Sequence, residues 1–302
     1  MDVRTGAVAW EREDKDFSEG AMTTTDQPDI QRESYGPDKE QVFHFWGARG
    51  PGAVPALVHF NGTDPDAIPP ELVAACRDAG IAVASVAFHP FDRGFPLPQR
   101  DAVRAVQHIR HHAARLGVDP RRLAVGGTSA GAGIAMYCAY HADLADPASD
   151  DPVARESSRV QCVTVSDAQS SYDPRDRDRW FGDRFRWKKG TPAWAVLDSG
   201  DQGRARLFAE TAPINLLAAD APPTLLSYMF DPVRLDLSAE MPPDHDWSHT
   251  PLFAVPLKEK ADRLGVEMRI KLQGHWSRPD NLIQQWRGYA AFIAEHLMEG
   301  RA

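Results

Sequence analysis

The stretch Leu123-Ala124-Val125-Gly126-Gly127-Thr128-Ser129-Ala130-Gly131 joins an apolar run to a segment rich in small residues, and it decides the fold. It contains a G-x-S-x-G pattern, which is typical of a serine on a tight strand-to-helix turn with its hydroxyl exposed. The small flanking residues let neighbouring backbone pass closely. A helix that starts after the serine directs its N–H groups and the positive end of its dipole towards any negative charge that develops there. The alternative interpretation is a serine that only caps the helix.

Short apolar runs alternate with amphipathic segments on both sides of this turn. Residues 81–87 are almost entirely apolar, as in a strand buried on both faces, and residues 101–116 carry apolar side chains at helical spacing. The alternation predicts an α/β fold with a mostly parallel central sheet and helices on both faces. We predict strands at residues 42–46, 56–60, 81–87, 123–126, 160–165, 224–229 and 267–272, and helices at 71–79, 101–116, 130–141, 253–264 and 282–298.

Two regions depart from this alternation. Residues 1–33 are polar and acidic, so we interpret them as an extension, disordered or draped over a single domain at 34–302. Residues 171–221 are rich in arginine, aspartate and aromatic residues, and we predict a small lid-like insertion over the carboxyl ends of the strands. Four aromatic residues in it either line a pocket for an acyl or aryl group or pack onto the domain: Trp180, Phe181, Phe185 and Trp187.

Composition limits the partners. The chain has 302 residues and a formal net charge of −9, which argues against binding to nucleic acid or to an anionic membrane surface. No apolar run approaches the roughly 20 residues of a membrane-spanning helix. The three cysteines form no CxxC pair, and no secretion signal is evident, so we expect a cytoplasmic protein with reduced thiols.

A nucleophilic serine needs a base and an orienting acid, which follow it along the chain in the order acid, then histidine. His275 comes directly after the last predicted strand, and Gly274 lets the loop turn there. Asp231 follows the strand predicted at 224–229, where the acid should emerge, although an aspartate before a proline also starts turns. Asp236, Asp244 and Asp246 are alternative acids.

Further histidines and one loop complete the candidate site. His245 and His249 lie beside Asp244 and Asp246, but a metal site there lacks a third, distant ligand, so we predict no bound metal. The loop after residues 56–60 reads Asn61-Gly62-Thr63-Asp64. The N–H groups of Gly62 and Thr63, together with that of Ala130, are the predicted oxyanion hole. A common glycine turn is the alternative.

Taken in order, residues 80–87, 95–101, 117–122 and the GGTSAG block at 126–131 resemble the α/β-hydrolase fold. More narrowly, they resemble the hormone-sensitive-lipase-like and arylformamidase-like esterases, over about residues 35–297. The resemblance implies a carboxylesterase-type mechanism without a cofactor. The chain departs from it in three places. Asn61-Gly62-Thr63 stands where those esterases have His-Gly-Gly, and Thr128 stands where an aspartate often precedes the nucleophile. In the acid loop, Phe230-Asp231-Pro232 is followed by a long polar stretch, so the pattern does not fix the acid.

These observations predict a serine hydrolase that cleaves a small or medium ester, or an activated amide, through an acyl-enzyme on Ser129. His275 is the predicted base and Asp231 the predicted acid. An acyltransferase or lactone-forming cyclase would use the same residues with another acceptor, and a non-catalytic binding protein could retain the fold. The last strand and the C-terminal helix, at an exposed edge of the sheet, suggest a homodimer.

Overall fold

The computed structural model describes residues 27–185, 202–230, 234–238, 240–241, 245–274 and 278–298. Its strands are β1 Ile30–Ser34, β2 Val42–Trp46, β3 Val54–Phe60, β4 Ala82–Val86, β5 Val118–Thr128, β6 Cys162–Ser166, β7 Thr224–Tyr228 and β8 Met268–Leu272. They form one sheet in the order β1-β2-β4-β3-β5-β6-β7-β8. The β1–β2 and β2–β4 pairs are antiparallel, and all the others are parallel. This is the α/β-hydrolase arrangement that the sequence predicts.

Helices cover both faces of the sheet. They are α1 Pro70–Asp78, α2 Leu97–His111, α3 Ala113–Leu116, α4 Ala130–Tyr140, α5 Pro174–Phe181, α6 Gln202–Thr211, α7 Pro213–Leu216, α8 Ala254–Leu264 and α9 Pro279–Met298. The core under α1 and α9 includes Leu57 of β3, whereas Val58 belongs to the core under α2, α4 and α8. Successive residues of a central strand are therefore buried on opposite faces, which is why these strands read as continuous apolar runs. Among the described helices, none is both long and apolar enough to cross a membrane.

The first strand corrects the predicted domain boundary. β1 begins at Ile30, inside the stretch that we interpreted as an extension, and pairs with β2. Its sequence is polar because most of its side chains face solvent. Glu33 Oε2 accepts a hydrogen bond of 3.0 Å from Arg115, and Glu33 Oε1 lies 3.5 Å from Nε2 of the buried His108. The sheet therefore includes a strand that lacks the apolar pattern on which the prediction relied.

The predicted insertion lies between β6 and β7. Its described residues form α5, a 3-10 turn at Gly182–Arg184, α6 and α7. Trp180, Phe181 and Phe185 are at most 8% exposed. All three rings pack around Phe253, with ring centroids 5.1 to 6.3 Å apart. For these three residues the structure supports packing onto the domain rather than a free pocket wall; Trp187 lies outside the described residues.

Candidate active site

Ser129 lies at the turn between β5 and α4, as the sequence predicts. β5 ends at Thr128, Ser129 adopts φ 54° and ψ −115°, and the helix begins at Ala130. A positive φ is rare for a residue with a side chain, and here the Ser129 N–H donates to the carbonyl of Ser166 on the neighbouring strand β6, at 3.0 Å. The strained conformation holds the hydroxyl at the carboxyl edge of the sheet.

Two glycines make this turn possible. A Cβ on Gly131 would lie 2.1 Å from the carbonyl oxygen of Phe60, at the end of β3. A Cβ on Gly127 would lie 2.4 Å from the carbonyl carbon of Gly131. In both cases the opposing atoms are backbone atoms, which no side-chain rotation moves away. The G-x-S-x-G spacing is therefore a steric requirement of the close approach between β3, β5 and α4.

Ser129 is hydrogen-bonded to a histidine. Its Oγ lies 2.8 Å from Nε2 of His249, and Nδ1 of His249 lies 2.6 Å from Oδ2 of Asp246. The order along the chain is serine, aspartate, histidine, as expected for this fold. Asp246 and His249 are three residues apart because both belong to one turn: Asp246 Oδ1 accepts the Ser248 N–H at 2.9 Å and caps the 3-10 helix Trp247–His249.

The predicted base and acid are not among these partners. His275 and Asp231 lie outside the described residues, as does Asp244, so their roles stay predictions. Asp246 was an alternative acid in the sequence analysis, and His249 was weighed there only as a metal ligand. The Asp-x-x-His spacing was the sequence signal that could have indicated this pair, because a capped turn brings the two side chains together.

Electrostatics assigns the protons in this hydrogen-bonded chain. The hydrogen bond from His249 holds the pKa of Asp246 down at about 2, so the carboxyl is ionised at neutral pH and only accepts. His249 Nδ1 must then carry the hydrogen. In the neutral imidazole Nε2 is left to accept the hydrogen of the Ser129 hydroxyl.

The segment that carries His249 is held by the loop after β6. Nε2 of the buried Gln169 donates to the Ser248 carbonyl at 2.5 Å, and Ser170 Oγ donates to the Phe253 carbonyl at 2.8 Å. Directly before this loop, the carbonyl of Ser166, the last residue of β6, accepts the N–H of Ser129. The end of β6 and the loop after it therefore position both the serine and the histidine. The sequence analysis missed this role because Gln169 and Ser170 belong to no recognisable motif.

The insertion supports the same segment from the other side. The ring of Trp247, two residues before His249, lies 5.8 Å from the ring of Phe181 and 5.8 Å from that of Phe185. His249 itself remains partly open to solvent, with 35% of its side chain exposed. The described part of the insertion thus packs beside the site and leaves the imidazole partly exposed.

A second carboxyl lies close to this pair. Asp167, at the end of β6, has a φ of 51°, and its Oδ1 accepts the N–H of Met229 at 3.1 Å. Burial raises the pKa of Asp167 to about 6; the Asp246 charge adds to this rise, and His249 opposes it. A non-glycine residue with positive φ directly beside the candidate site was not predicted.

The predicted oxyanion loop adjoins the serine turn, where α4 passes over the end of β3. Among the described residues, no acceptor binds the N–H groups of Gly62, Thr63 or Ala130. Gly62 adopts φ 98°, and its carbonyl accepts the Phe88 N–H at 2.9 Å. Because the peptide is planar and trans, the N–H of Thr63 points away from Phe88.

The loop is held in place by one buried serine of β4 that the sequence analysis missed. Ser85 Oγ accepts a hydrogen bond of 3.2 Å from Asn61 Nδ2 and donates to the Pro65 carbonyl at 2.6 Å. The two contacts close the loop at both ends. Asn61, which replaces the histidine of the resembling esterases, is thus a structural anchor for the loop.

Comparison with known proteins assigns the chain to a family. The BD-FAE family model matches residues 58–229, more than half of the chain. The chain belongs to the BD-FAE family. The BD-FAE match includes the Asn61–Thr63 loop, Ser129 and Asp167, and it ends before Asp246 and His249. The family match therefore covers the part of the site that contains Ser129 and not the part that contains Asp246 and His249.

Solved structures share the fold of this BD-FAE protein at low sequence identity. A truncated carbohydrate esterase from gut microbiota is 16% identical, with a TM-score of 0.70, over 93% of this chain and 99% of that one. Carboxyl esterase 2 from Tuber melanosporum is 15% identical, with a TM-score of 0.63, over 92% and 89% of the two chains. Esterase 2 of Thermogutta terrifontis, phosphonylated by sarin, is 16% identical, with a TM-score of 0.60, over 89% and 96%. No curated protein sequence matches the chain significantly.

Proposed function

We propose that this protein is a serine carboxylic-ester hydrolase in which Ser129 is the nucleophile, His249 the general base and Asp246 the orienting acid. The observation that carries the proposal is the hydrogen-bonded chain from Ser129 Oγ to His249 Nε2, 2.8 Å, and from His249 Nδ1 to Asp246 Oδ2, 2.6 Å. Membership of the BD-FAE family and the esterases among the structural neighbours support the same reaction class.

The acylation step follows from these contacts. Ser129 Oγ attacks the ester carbonyl carbon while its proton passes to His249 Nε2. The carbonyl oxygen becomes negatively charged and accepts hydrogen bonds from the N–H groups of Gly62, Thr63 and Ala130. Asp246 stabilises the imidazolium. Nε2 then gives the proton to the alcohol oxygen as the bond between that oxygen and the acyl carbon breaks, and the alcohol leaves.

Deacylation repeats the sequence with water as the attacking group. The water loses a proton to His249 Nε2, its oxygen bonds to the acyl carbon, and the proton returns to Ser129 Oγ as the acyl–enzyme bond breaks. The His249 side chain is partly exposed, so the site is open to the water that this step needs. An acceptor other than water would give an acyltransferase, and product analysis with candidate alcohols distinguishes the two outcomes.

We further propose an O-acylated carbohydrate as the substrate class to test first, because a carbohydrate esterase and an acetyl ester-xyloside hydrolase are among the structural neighbours. An acetylated sugar and a series of nitrophenyl esters of increasing acyl length form a suitable panel. If the enzyme hydrolyses nitrophenyl acetate but releases no acetate from any acetylated sugar, this substrate class is excluded.

Intact-mass analysis after treatment with a fluorophosphonate tests the nucleophile. Ser129 Oγ bonds to phosphorus as fluoride leaves, so the wild-type protein should gain one adduct. Ser129→Ala should gain none, whereas Ser238→Ala, a control at an exposed serine, should react like the wild type. A folded wild-type protein without an adduct would contradict the catalytic proposal and favour a binding protein.

The identity of the base needs its own comparison, because His275 is the histidine that the sequence predicts. His249→Ala and His275→Ala should be assayed on one nitrophenyl ester alongside wild type. If His249 is the base, its removal should lower kcat by about 10²- to 10⁴-fold, while His275→Ala stays far more active. The reverse result would return the role to His275 without changing the reaction class.

A further inference from the structure

Asp167 combines two unfavourable features at the carboxyl edge of the sheet. It follows directly after β6 and adopts a φ of 51°, a left-handed conformation that is costly for a residue with a side chain, although aspartate tolerates it better than most. Its carboxyl is largely withdrawn from water, and burial raises the pKa of Asp167 to about 6. Backbone strain and a perturbed acid on one residue are typical of functional sites.

The conformation of Asp167 is fixed by contacts with the end of β7. The Asp167 N–H donates to the Ser227 carbonyl at 2.9 Å, and Asp167 Oδ1 accepts the Met229 N–H at 3.1 Å. The main chain and the carboxyl are therefore both bound to the end of the neighbouring strand. These two hydrogen bonds hold the carboxyl in one place.

Asp167 lies between the contacts that hold the serine and the histidine of the candidate site. The carbonyl of Ser166, the residue before it, accepts the N–H of the proposed nucleophile at 3.0 Å. Gln169 Nε2 lies 3.4 Å from the carbonyl oxygen of Asp167 and 2.5 Å from that of Ser248. Ser248 directly precedes His249. The main chain at Asp167 therefore adjoins both segments that supply the reacting groups.

The described titratable groups around the Asp167 carboxyl come from three elements. The turn after β7 contributes His249, whose charge lowers the pKa of Asp167, and Asp246, whose charge raises it. β7 contributes Tyr228 and α9 contributes Tyr289; burial and the Asp167 charge raise the pKa of both phenols, so they are neutral at pH 7. Among these groups, His249 is the one whose positive charge the Asp167 carboxylate can stabilise.

The interaction between these two charges is mutual. Because a charged His249 favours the ionised form of Asp167, an ionised Asp167 favours the imidazolium of His249 equally. The Asp246 carboxylate acts on the same ring, but 46% of its side chain is exposed, and water weakens its field. A carboxylate withdrawn from water acts through a lower effective dielectric, so Asp167 adds to the stabilisation that Asp246 provides.

We propose that Asp167 is a positioning residue for the esterase reaction, whose carboxylate stabilises the His249 imidazolium that forms as Ser129 attacks. The inference rests on the proposed function, in which His249 takes the Ser129 proton. A carboxylate that is unfavourable in the resting protein then supports the positive charge that develops in the transition state. The contribution is present above pH 6, where Asp167 is ionised, and is lost as the pH falls below about 6.

The pH dependence of hydrolysis of one nitrophenyl ester tests the role in catalysis. Asp167→Asn removes the charge and keeps an acceptor for the Met229 N–H. At pH 8 it should lower kcat by about threefold to tenfold and leave KM nearly unchanged. The acid limb of kcat/KM should move to lower pH, because the imidazolium of the free enzyme loses the same stabilisation. Asp220→Asn, at a carboxyl that is 73% exposed and precedes β7 at the opposite edge of the sheet, is the control and should behave like wild type.

NMR titration of the His249 ring tests the coupling without a substrate. The His249 resonances are assigned by their loss in His249→Ala. In Asp167→Asn the pKa of His249 should lie about 0.5 to 1 below the wild-type value, which corresponds to the expected change in kcat. The melting temperature of Asp167→Asn at pH 8, expected at or above that of wild type, shows that the variant is folded.

Two results would overturn the proposal. One is a pKa of His249 that is the same in Asp167→Asn and in wild type. The other is a kcat and an acid limb that both stay at the wild-type values although the pKa of His249 falls. Failure of the proposed function has a different signature: wild type would form no fluorophosphonate adduct, or His249→Ala would keep full activity. Either would remove the reaction on which Asp167 is proposed to act.

Discussion

Asp167→Asn should stabilise the protein at neutral and alkaline pH. In the folded chain the Asp167 carboxyl is withdrawn from water, and burial raises its pKa from 3.8 to about 6. Its charge also faces Asp246, and it raises the pKa of the buried Tyr228 and Tyr289. The hydrogen bond from the Met229 N–H and the nearby His249 favour the charged form, but burial outweighs them. Ionisation of Asp167 is therefore unfavourable in the folded state relative to the unfolded chain.

The sign and size follow from this difference. Between pH 3.8 and about 6 the folded protein retains the proton while the unfolded chain releases it, so the contribution of Asp167 to stability is full below pH 3.8 and is lost as pH rises through 6. At about 1.4 kcal/mol per pKa unit the loss is roughly 3 kcal/mol. Asparagine has no charge, can accept the Met229 N–H, and tolerates the positive φ better than most residues.

Urea unfolding, followed by tryptophan fluorescence at pH 4 to 8, measures this effect as the difference in unfolding free energy between Asp167→Asn and wild type. That difference should rise by up to about 3 kcal/mol across the range. Asp220→Asn, at a carboxyl that is 73% exposed, is the control and should show no comparable rise. A difference for Asp167→Asn that is flat with pH, or that falls, would refute the reasoning.

Three further predictions concern packing. Gly131→Ala should prevent correct folding, because its Cβ would lie 2.1 Å from the Phe60 carbonyl oxygen. The control Gly288→Ala, with no atom within 4 Å of the new Cβ, should melt at or above the wild-type temperature. Equal melting temperatures of the two variants would contradict the steric argument. Phe181→Ala should lower the free energy of unfolding, measured in urea, by about 3–5 kcal/mol. It should also lower kcat more than it changes KM, and an unchanged kcat would show that the insertion does not position His249. The three cysteines are buried, and burial raises the pKa of Cys76 to about 12, so a thiol reagent at pH 8 should label none in native protein and three after denaturation.

Much of the fold was predictable because its signals are local. The central strands carry continuous apolar runs, since both their faces are buried. Seven of the eight described strands were predicted, and most of their ends were correct to within a few residues. β1 was missed for the complementary reason: it is an edge strand with mostly exposed side chains, and it is held by pairing with β2 and by the Glu33–Arg115 contact. Such partners lie far away along the chain and leave no periodic pattern.

The candidate site, like the fold, was predictable from the sequence only in part. By itself the sequence determined the α/β-hydrolase fold and the position of Ser129, because a strand, a sharp turn and a helix are joined within nine residues and only glycine fits at Gly127 and Gly131. Tertiary structure alone placed His249 beside a serine 120 residues earlier. That contact depends on the buried Gln169, on the rings around Trp247 and on the capped turn at Asp246, and none of these packing interactions can be read from the spacing of histidines along a chain.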